Sequence, residues 1–371
     1  MINRIIIDNF KLHNHTELQI GGLTILSGMN GMGKSSLIQS LLLLRQSFLM
    51  NDLEVGLNLK GDLCDLGMAD ELPCIVSKKT HLTIDINFLH QKSLNYSFLY
   101  GMNSTLLIGE EDNPTNKEVL ATYSLFNNNF QYLSAFRFGP QKSYGRDTSL
   151  VDIKRQLSKQ AGQCEYTVHF LERYGKEELP IKALAIEDNN DYRLLNQVEQ
   201  WLRKISPNIK ITIEPQGQDL NLKYKFNRNE NTITENFSAL NVGFGITYVL
   251  PILVAILSAN KDALILIENP EAHIHPKGQA VLMELIAKAV ANGVQVLIET
   301  HSDHIINGSL VAVKEGVISN EKLSVYYFER DEQQHTAIAH HLEVSKNGRI
   351  KRPPKGFFDQ IDIDLRILTG F

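Results

Sequence analysis

The stretch "LTILSGMNGMGKSSLIQSLLLL", Leu23 to Leu44, restricts the possible folds of this chain more than any other segment. A short apolar run opens into a loop holding Gly28, Gly31 and Gly33, and the loop closes with Lys34, Ser35 and Ser36 at the head of a longer apolar run. Gly28, Gly33, Lys34 and Ser35 fit the spacing G-x-x-x-x-G-K-[ST]. Glycines let the backbone curl until several N–H groups face one anion, and a following helix adds the positive end of its dipole. Lys34 is then expected to reach the terminal phosphates of a nucleotide, and the Ser35 hydroxyl to ligate Mg²⁺. Asn30, Gly31, Gly33, Lys34, Ser35 and Ser36 form the expected phosphate site. A flexible glycine turn before a helix is the plainer reading, but the strand–loop–helix context goes against it. Nothing in the loop names the base.

A phosphate loop of this kind works with a carboxylate at the end of a second buried strand, which organises the Mg²⁺ shell. "LILIENPEAHIHP" supplies one: Leu264 to Ile267 read as the strand and Glu268 stands at its end. Ser35 and Glu268 are the expected metal residues. His273, His275, His301 and His304 raise the alternative of zinc, since H-x-H with a carboxylate can bind it. No cysteine lies nearby, and a magnesium–phosphate site already accounts for the region. His301 ends the strand-like run "VQVLIET", where its ring could reach a γ-phosphate or an attacking water.

The remaining pattern is that of an α/β chain. Residues 80–137 alternate apolar and polar positions between Asn and Gly, suggesting an antiparallel meander. "EYTVHFLERYG" is amphipathic and stops at glycine. In "DYRLLNQVEQWLRKIS", Leu194, Leu195, Val198, Trp201, Leu202 and Ile205 share one helical face. A strand pair is expected near 209–226, after which strand–helix–strand periodicity returns with "ALILIE", a helix ending at Gly293, "VQVLIETHS" and "LSVYYFER". The division this suggests is an N-terminal lobe over 1–150, a helical and short-strand insertion over 151–237, and a C-terminal lobe over 238–371.

Composition narrows the setting. A net charge of −5 speaks against a globally basic nucleic-acid binder, though Lys346, Arg349, Lys351, Arg352 and Lys355 make a mild basic cluster. Three cysteines, Cys64, Cys74 and Cys164, have no paired spacing and read as reduced thiols. "YVLPILVAILSA" is too short to span a bilayer, and the N-terminus turns polar after three isoleucines, so a cytoplasmic protein off the membrane is expected.

Taken together, these motifs resemble a known class. "NFKLHNHTELQIGGLTILSGMNGMGKSSLIQSL" resembles the opening of ABC-type ATPase heads of the RecF, SMC and OLD-nuclease kind, "IENPEAHIHP" their Walker B segment and "VLIETHSDHI" their switch histidine. "NVGFGITYVLPILVAIL", "YLSAFRFGP" and "PPKGFFDQ" resemble a bacterial subgroup of stand-alone AAA/ABC-like ATPases, many found in anti-phage defence beside a separate nuclease, as in Septu-type systems. The likeness covers about 1–45 and 238–310 well, and the middle only through "YLSAFRFGP". It implies a P-loop NTPase fold of ABC-head type, an α/β mixed sheet with the meander and helical insertion between its halves. It also implies ATP and Mg²⁺ as cofactors, with Glu268 in the Mg²⁺-organising place and His301 as γ-phosphate sensor. Asn241, Gly243 and Gly245 would form the signature loop that touches the ATP of an opposite subunit; a glycine hinge before a core helix is the plainer reading. Arg137 would contact nucleotide or partner, or be a buried structural arginine, and Gln141 is a candidate for the glutamine loop.

One departure from the class matters. Its enzymes usually carry Glu directly after the Mg²⁺-organising acid, and here that residue is Asn269. An amide cannot accept a proton, so hydrolysis is expected to be slow unless Glu271 or His301 substitutes. The resulting expectation is an ATPase that dimerises, or forms a higher homo-oligomer, around ATP and regulates a separate effector such as a nuclease. Three alternatives belong beside it: a nucleotide-dependent scaffold with negligible hydrolysis, a DNA-maintenance ATPase, and a self-contained nuclease. The last would need an acidic catalytic domain, and Asp359, Asp362 and Asp364 read instead as a solvated turn. A P-loop kinase lacks an arginine-rich lid.

Overall fold

The chain opens with β1 (Ile2–Phe10), β2 (His13–Gln19) and β3 (Leu23–Gly28), and β3 runs through the glycine loop into α1 (Lys34–Met50). Next come β4 (Gly56–Asn58), β5 (His81–Phe88), β6 (Leu94–Leu99), β7 (Leu106–Gly109), the single turn α2 (Lys117–Leu120) and β8 (Phe130–Leu133). The middle of the chain supplies α3 (Thr167–Tyr174), α4 (Leu194–Ile205), β9 (Ile209–Gln216), β10 (Asp219–Asn229), β11 (Thr232–Ile233) and β12 (Phe237–Ser238). The last third supplies α5 (Phe244–Leu257), β13 (Leu264–Glu268), α6 (Pro276–Ala291), β14 (Gln295–Glu299), α7 (Asp303–Lys314), β15 (Leu323–Arg330), β16 (Ala337–Leu342) and α8 (Gln360–Thr369). The computed structural model describes all residues except 187–189, 230, 231, 234, 355, 356, 358, 359 and 371, together with the side chains of 227–229, 232, 233 and 360–362.

The central sheet has the order β16-β15-β3-β14-β13-β8. All its pairings are parallel except that of the edge strand β16 with β15. Strands buried on both faces are apolar throughout, and residue parity decides which layer each side chain enters. Leu23, Ile25, Ile265, Ile267, Val296 and Ile298 point into one core with α3 to α7. Leu26, Leu264, Leu266 and Leu297 point into the other, which holds α1. That second core is closed by an antiparallel sheet of order β2-β1-β5-β6-β7-β4. Helix α1 is therefore enclosed between two sheets, which explains why its apolar residues are not confined to one stripe. Gln295 links the sheets: its side-chain oxygen accepts the Ile2 N–H at 2.8 Å, and its amide donates to the Ile2 carbonyl at 2.6 Å.

Described residues of the segment 151–237 contribute to the first core. Val198, Trp201 and Leu202 of α4 pack in the same cluster as α5 and α6, and the Trp201 indole donates to the Leu184 carbonyl at 2.9 Å. The expected helical face of α4 is the buried one, with Leu195 and Ile205 half-buried at its margin. The pair β9–β10 is an antiparallel hairpin covering the predicted strand pair.

The meander is shorter than its alternation suggested. β5, β6 and β7 are consecutive antiparallel partners, but "TYSLFNNNFQYLSAFRF" contributes only β8, which leaves the meander and runs parallel to β13. Residues before it form α2 and turns that bury Tyr123, Leu125 and Phe126. A four-residue apolar strand carries no mark of which sheet it will join. The acidic end is a second correction. The segment expected as a solvated turn is the helix α8, which contains Asp362 and Asp364, while Asp359 lies outside the described residues. Lys355 of the basic cluster also lies outside them, and Lys351 pairs with Glu343 at 3.2 Å. Among the described residues no helix is long and apolar enough to cross a membrane.

Candidate active site

Four parallel strands deliver their C-terminal ends to one edge: β3 into the glycine loop, β14 at Glu299, β13 at Glu268 and β8 into the segment from Ser134. Ligands of α/β sheets collect at this edge because loops and helix N-termini converge there. Gly28 has φ +134°, and a Cβ there would sit 2.4 Å from the Phe328 carbonyl oxygen, so only glycine fits between β3 and β15. Gly33 has φ +98° and precedes α1.

The loop is closed on its own lysine. Lys34 Nζ donates to the carbonyls of Gly28 at 2.9 Å and Met29 at 2.7 Å. Burial lowers the pKa of this ammonium, while the charges of Glu299 and Glu271 oppose the shift. Asn30, Gly31 and Ser35 are exposed and Ser36 is buried in the first turn of α1. His13, which sequence reasoning missed, props the loop from β2. Its Nε2 donates to the Gly33 carbonyl at 3.0 Å, and its Nδ1 accepts from the Thr16 hydroxyl at 2.8 Å. A carbonyl can only accept, so Nε2 carries a hydrogen, and burial pushes the pKa of the ring down to about 4, which leaves Nδ1 bare at neutral pH.

Glu268 and Glu299 are register partners on neighbouring strands. Glu268 is held by its neighbours: Oε1 accepts from the Tyr132 hydroxyl at 3.1 Å and Oε2 from the Ala135 N–H at 3.2 Å. Burial raises its pKa, and those two donors pull it back. Glu299 Oε1 accepts from the Ser35 hydroxyl at 2.9 Å and lies 3.9 Å from Lys34 Nζ. The Ser35 hydroxyl thus reaches a carboxylate one strand nearer β3 than Glu268. The sequence signal was available: Glu299 is the one charged residue in "VQVLIE", and it shares parity with Leu297, which faces α1.

Asn269 has φ +44°, a conformation Asn tolerates and longer acids avoid. Its N–H donates to the Glu299 carbonyl at 2.8 Å. Arg137 resolves to the structural reading. It is buried, and its guanidinium donates to the carbonyls of Ser134 (2.7 Å), Glu268 (2.6 Å), Asn269 (2.8 Å) and Tyr248 (3.3 Å). Gln141, in the loop leaving β8, turns its amide to the Gly139 carbonyl at 3.4 Å.

Glu271 faces the turn after β14. Its two oxygens accept from the Thr300 hydroxyl and the His301 N–H, each at 2.8 Å. His301 is exposed. Partial burial and then the Lys34 charge lower its pKa, against Glu271 and the Gly28 backbone. His301, Lys34, Ser35 and Glu299 therefore meet at one place.

The signature segment lines a groove to which Lys34, Ser35, Glu299 and His301 do not contribute. Asn241 and Gly243 are exposed and line an open groove with Ser206, Phe226, Phe237 and Ile246. Gly243 caps α5, and a Cβ there would meet nothing within 4 Å. At Gly245 a Cβ would lie 2.1 Å from the His273 carbonyl oxygen. This glycine is required by the chain's own packing. His273 is also enclosed by aromatic neighbours, with ring centroids 5.1 Å from Phe244 and 4.9 Å from Tyr248. Among the described residues no group of three or more His, Cys, Asp or Glu is arranged to hold a metal on its own. A cation shared with phosphates needs fewer protein ligands. A hydroxyl and a buried carboxylate at Ser35 and Glu299, with Glu268 alongside, fit that requirement.

A wrapped P-loop helix beneath a mostly parallel sheet, with Glu268, Glu299 and His301 at its C-terminal edge, has the fold of an ABC-type ATPase head. Solved structures agree on the fold. An SmcHead bound to the C-winged helix domain of ScpA superposes at a TM-score of 0.52 with 13% identity, covering 92% of this chain and 98% of that one. An Smc head with an extended coiled coil, bound to the C-terminal domain of ScpA derived from Pyrococcus furiosus, superposes at 0.51 with 13% identity, covering 100% and 98%. The chain belongs to the family described as AAA domain, putative AbiEii toxin, Type IV TA system, whose model matches residues 23–307. A second model, a protein of unknown function (DUF3696), matches residues 318–368. No curated protein matches the chain. The molecule is an AAA-family domain with the fold of an ATPase head.

Proposed function

We propose that this head binds ATP with Mg²⁺, hydrolyses it slowly, and pairs with a second copy around the nucleotide to switch a separate effector. The observation that carries the reading is a bare, exposed glycine at the start of α5, outside the group of side chains around the P-loop. The P-loop edge gathers Lys34, Ser35, Glu299 and His301, while Gly243 stands exposed at the N-terminus of α5 with open space around it. A helix N-terminus with a bare glycine suits an anion brought by another molecule. Phe136, 82% exposed, and the half-exposed Phe244 give the same region apolar surface that a partner would cover.

Lys34 would meet the phosphates, Ser35 and the neighbouring carboxylates would hold the cation, and His301 would contact the terminal phosphate. The cation would neutralise phosphate charge. Asn269 supplies no base, which supports slow turnover and keeps the second reading, a nucleotide clamp with negligible hydrolysis, beside the first. The family description reads putative AbiEii toxin, Type IV TA system, which is in keeping with a chain that acts as one part of a system.

The test is Lys34→Ala. Calorimetry is expected to show at least ~100-fold weaker ATP binding in a folded protein, about 2.7 kcal/mol or more. Unchanged affinity would remove the site. Light scattering with a non-hydrolysable ATP analogue should show a dimer that the mutant does not form.

A further inference from the structure

We propose that Glu299, on the switch strand, is the carboxylate that holds Ser35 in the cation shell, with Glu268 in support from the adjacent strand. The inference rests on the nucleotide reading above and assigns the metal side of that site.

The two carboxylates differ in what their oxygens already do. Both oxygens of Glu268 accept hydrogen bonds, from Tyr132 and Ala135. Glu299 spends Oε1 on the Ser35 hydroxyl, and its Oε2 is buried with no hydrogen-bond partner. The residue is only 6% exposed. A dehydrated carboxylate oxygen without a donor is costly to bury, and a cation is the partner that repays it best. Lys34 stands 3.9 Å from Oε1 and is itself committed to the Gly28 and Met29 carbonyls, so it leaves Oε2 unserved.

Backbone geometry fixes the arrangement. β14 lies directly beside β3, with Glu299 in register with Leu26, whereas β13 is one strand further out. A side chain on β14 therefore reaches the first turn of α1 by a shorter path than one on β13. The Ser35 hydroxyl donates its proton to Glu299, which leaves its oxygen lone pairs for a metal ion. The same hydrogen bond orients the ligand, as outer partners do at metal sites. The Glu299 carbonyl accepts the Asn269 N–H and so ties the two acidic strand ends together.

The experiment separates cation from nucleotide. Mn²⁺ binding is measured by electron paramagnetic resonance with a non-hydrolysable ATP analogue present, and analogue binding is measured separately in EDTA. Glu299→Gln is expected to keep its EDTA affinity within about twofold and to lose about tenfold or more in Mn²⁺ affinity. Glu268→Gln is expected to lose less. Ser35→Ala should lose as much Mn²⁺ affinity as Glu299→Gln, and the double variant no more than either alone, because one hydrogen-bonded unit is removed in each case. Wild-type Mn²⁺ affinity in Glu299→Gln, or additive losses in the double variant, overturns the assignment while leaving the nucleotide site standing. Equal losses with and without cation also overturn it, since they mark a purely structural role. A wild-type protein that binds no analogue in either condition removes the nucleotide reading and this assignment together.

Discussion

Glu271 holds His301 by the main chain. One carboxylate oxygen takes the His301 N–H and the other the Thr300 hydroxyl, both at 2.8 Å. With both oxygens engaged, Glu271 holds the turn after β14 in place. Hydrogen bonds to a charged acceptor contribute about 1.5–3 kcal/mol each. Glu271→Ala should therefore lower steady-state phosphate release by ~10-fold or more, while Glu271→Gln, which can still accept from the His301 N–H, should stay within about threefold of wild type. Equal loss in both variants would make Glu271 the base.

Asn269 sits at φ +44°, where a non-glycine residue other than Asn or Asp costs about 1–2 kcal/mol. Asn269→Glu should raise phosphate release, because it places a carboxylate beside the site, and should lower unfolding stability by about 1 kcal/mol. An unchanged rate in a folded variant, together with abolition by Glu271→Gln, would move the water-activating role to Glu271.

The two signature glycines should behave differently. A side chain at Gly243 meets open space, and one at Gly245 collides with the His273 carbonyl. Gly243→Asp should fold, bind ATP and fail to dimerise with it, because it adds like charge against phosphate. Gly245→Ala should instead lower the melting temperature of the monomer. Light scattering with an ATP analogue and a thermal melt read the two effects. A Gly243→Asp protein that still dimerises on nucleotide would place the interface elsewhere.

His13 gives a pH dependence. Its folded pKa of about 4 lies below the ordinary 6.5, because burial disfavours the cation and Lys11 adds to that effect. Between those values the unfolded chain binds a proton that the folded chain does not. Stability from this group is therefore constant above about pH 6.5 and is lost as pH falls towards 4. Comparing urea unfolding of wild type with His13→Gln, the wild type should lose about 2 kcal/mol relative to the variant between pH 7 and pH 5. Parallel pH profiles would show that His13 is not held neutral against Gly33.

The phosphate loop was legible because its chemistry is local: Gly28, Gly33, Lys34 and Ser35 do their work within eight residues of chain. Strands such as Leu264–Glu268 were legible from their apolar runs, and α4 from its spacing. What escaped depends on neighbours across the sheet. Glu299 gained its role by lying next to β3, and "VQVLIE" contains nothing about strand order. His13 looked like one polar residue among several until β2 brought it under Gly33. Gly245 carried the right residue type for the signature reading, but the contact that requires glycine comes from His273, which no spacing rule connects to it. Phe130–Leu133 could have extended the meander equally well, and only the completed central sheet assigns it to β13.

Arg137 has a mechanical consequence. Its guanidinium joins carbonyls from the loop after β8, the end of β13 and the first turns of α5. No hinge is left between those three pieces, because parting any two would strand a buried cation without its acceptors. The exposed start of α5 and the strand end that bears Glu268 are thus tied to one buried cation.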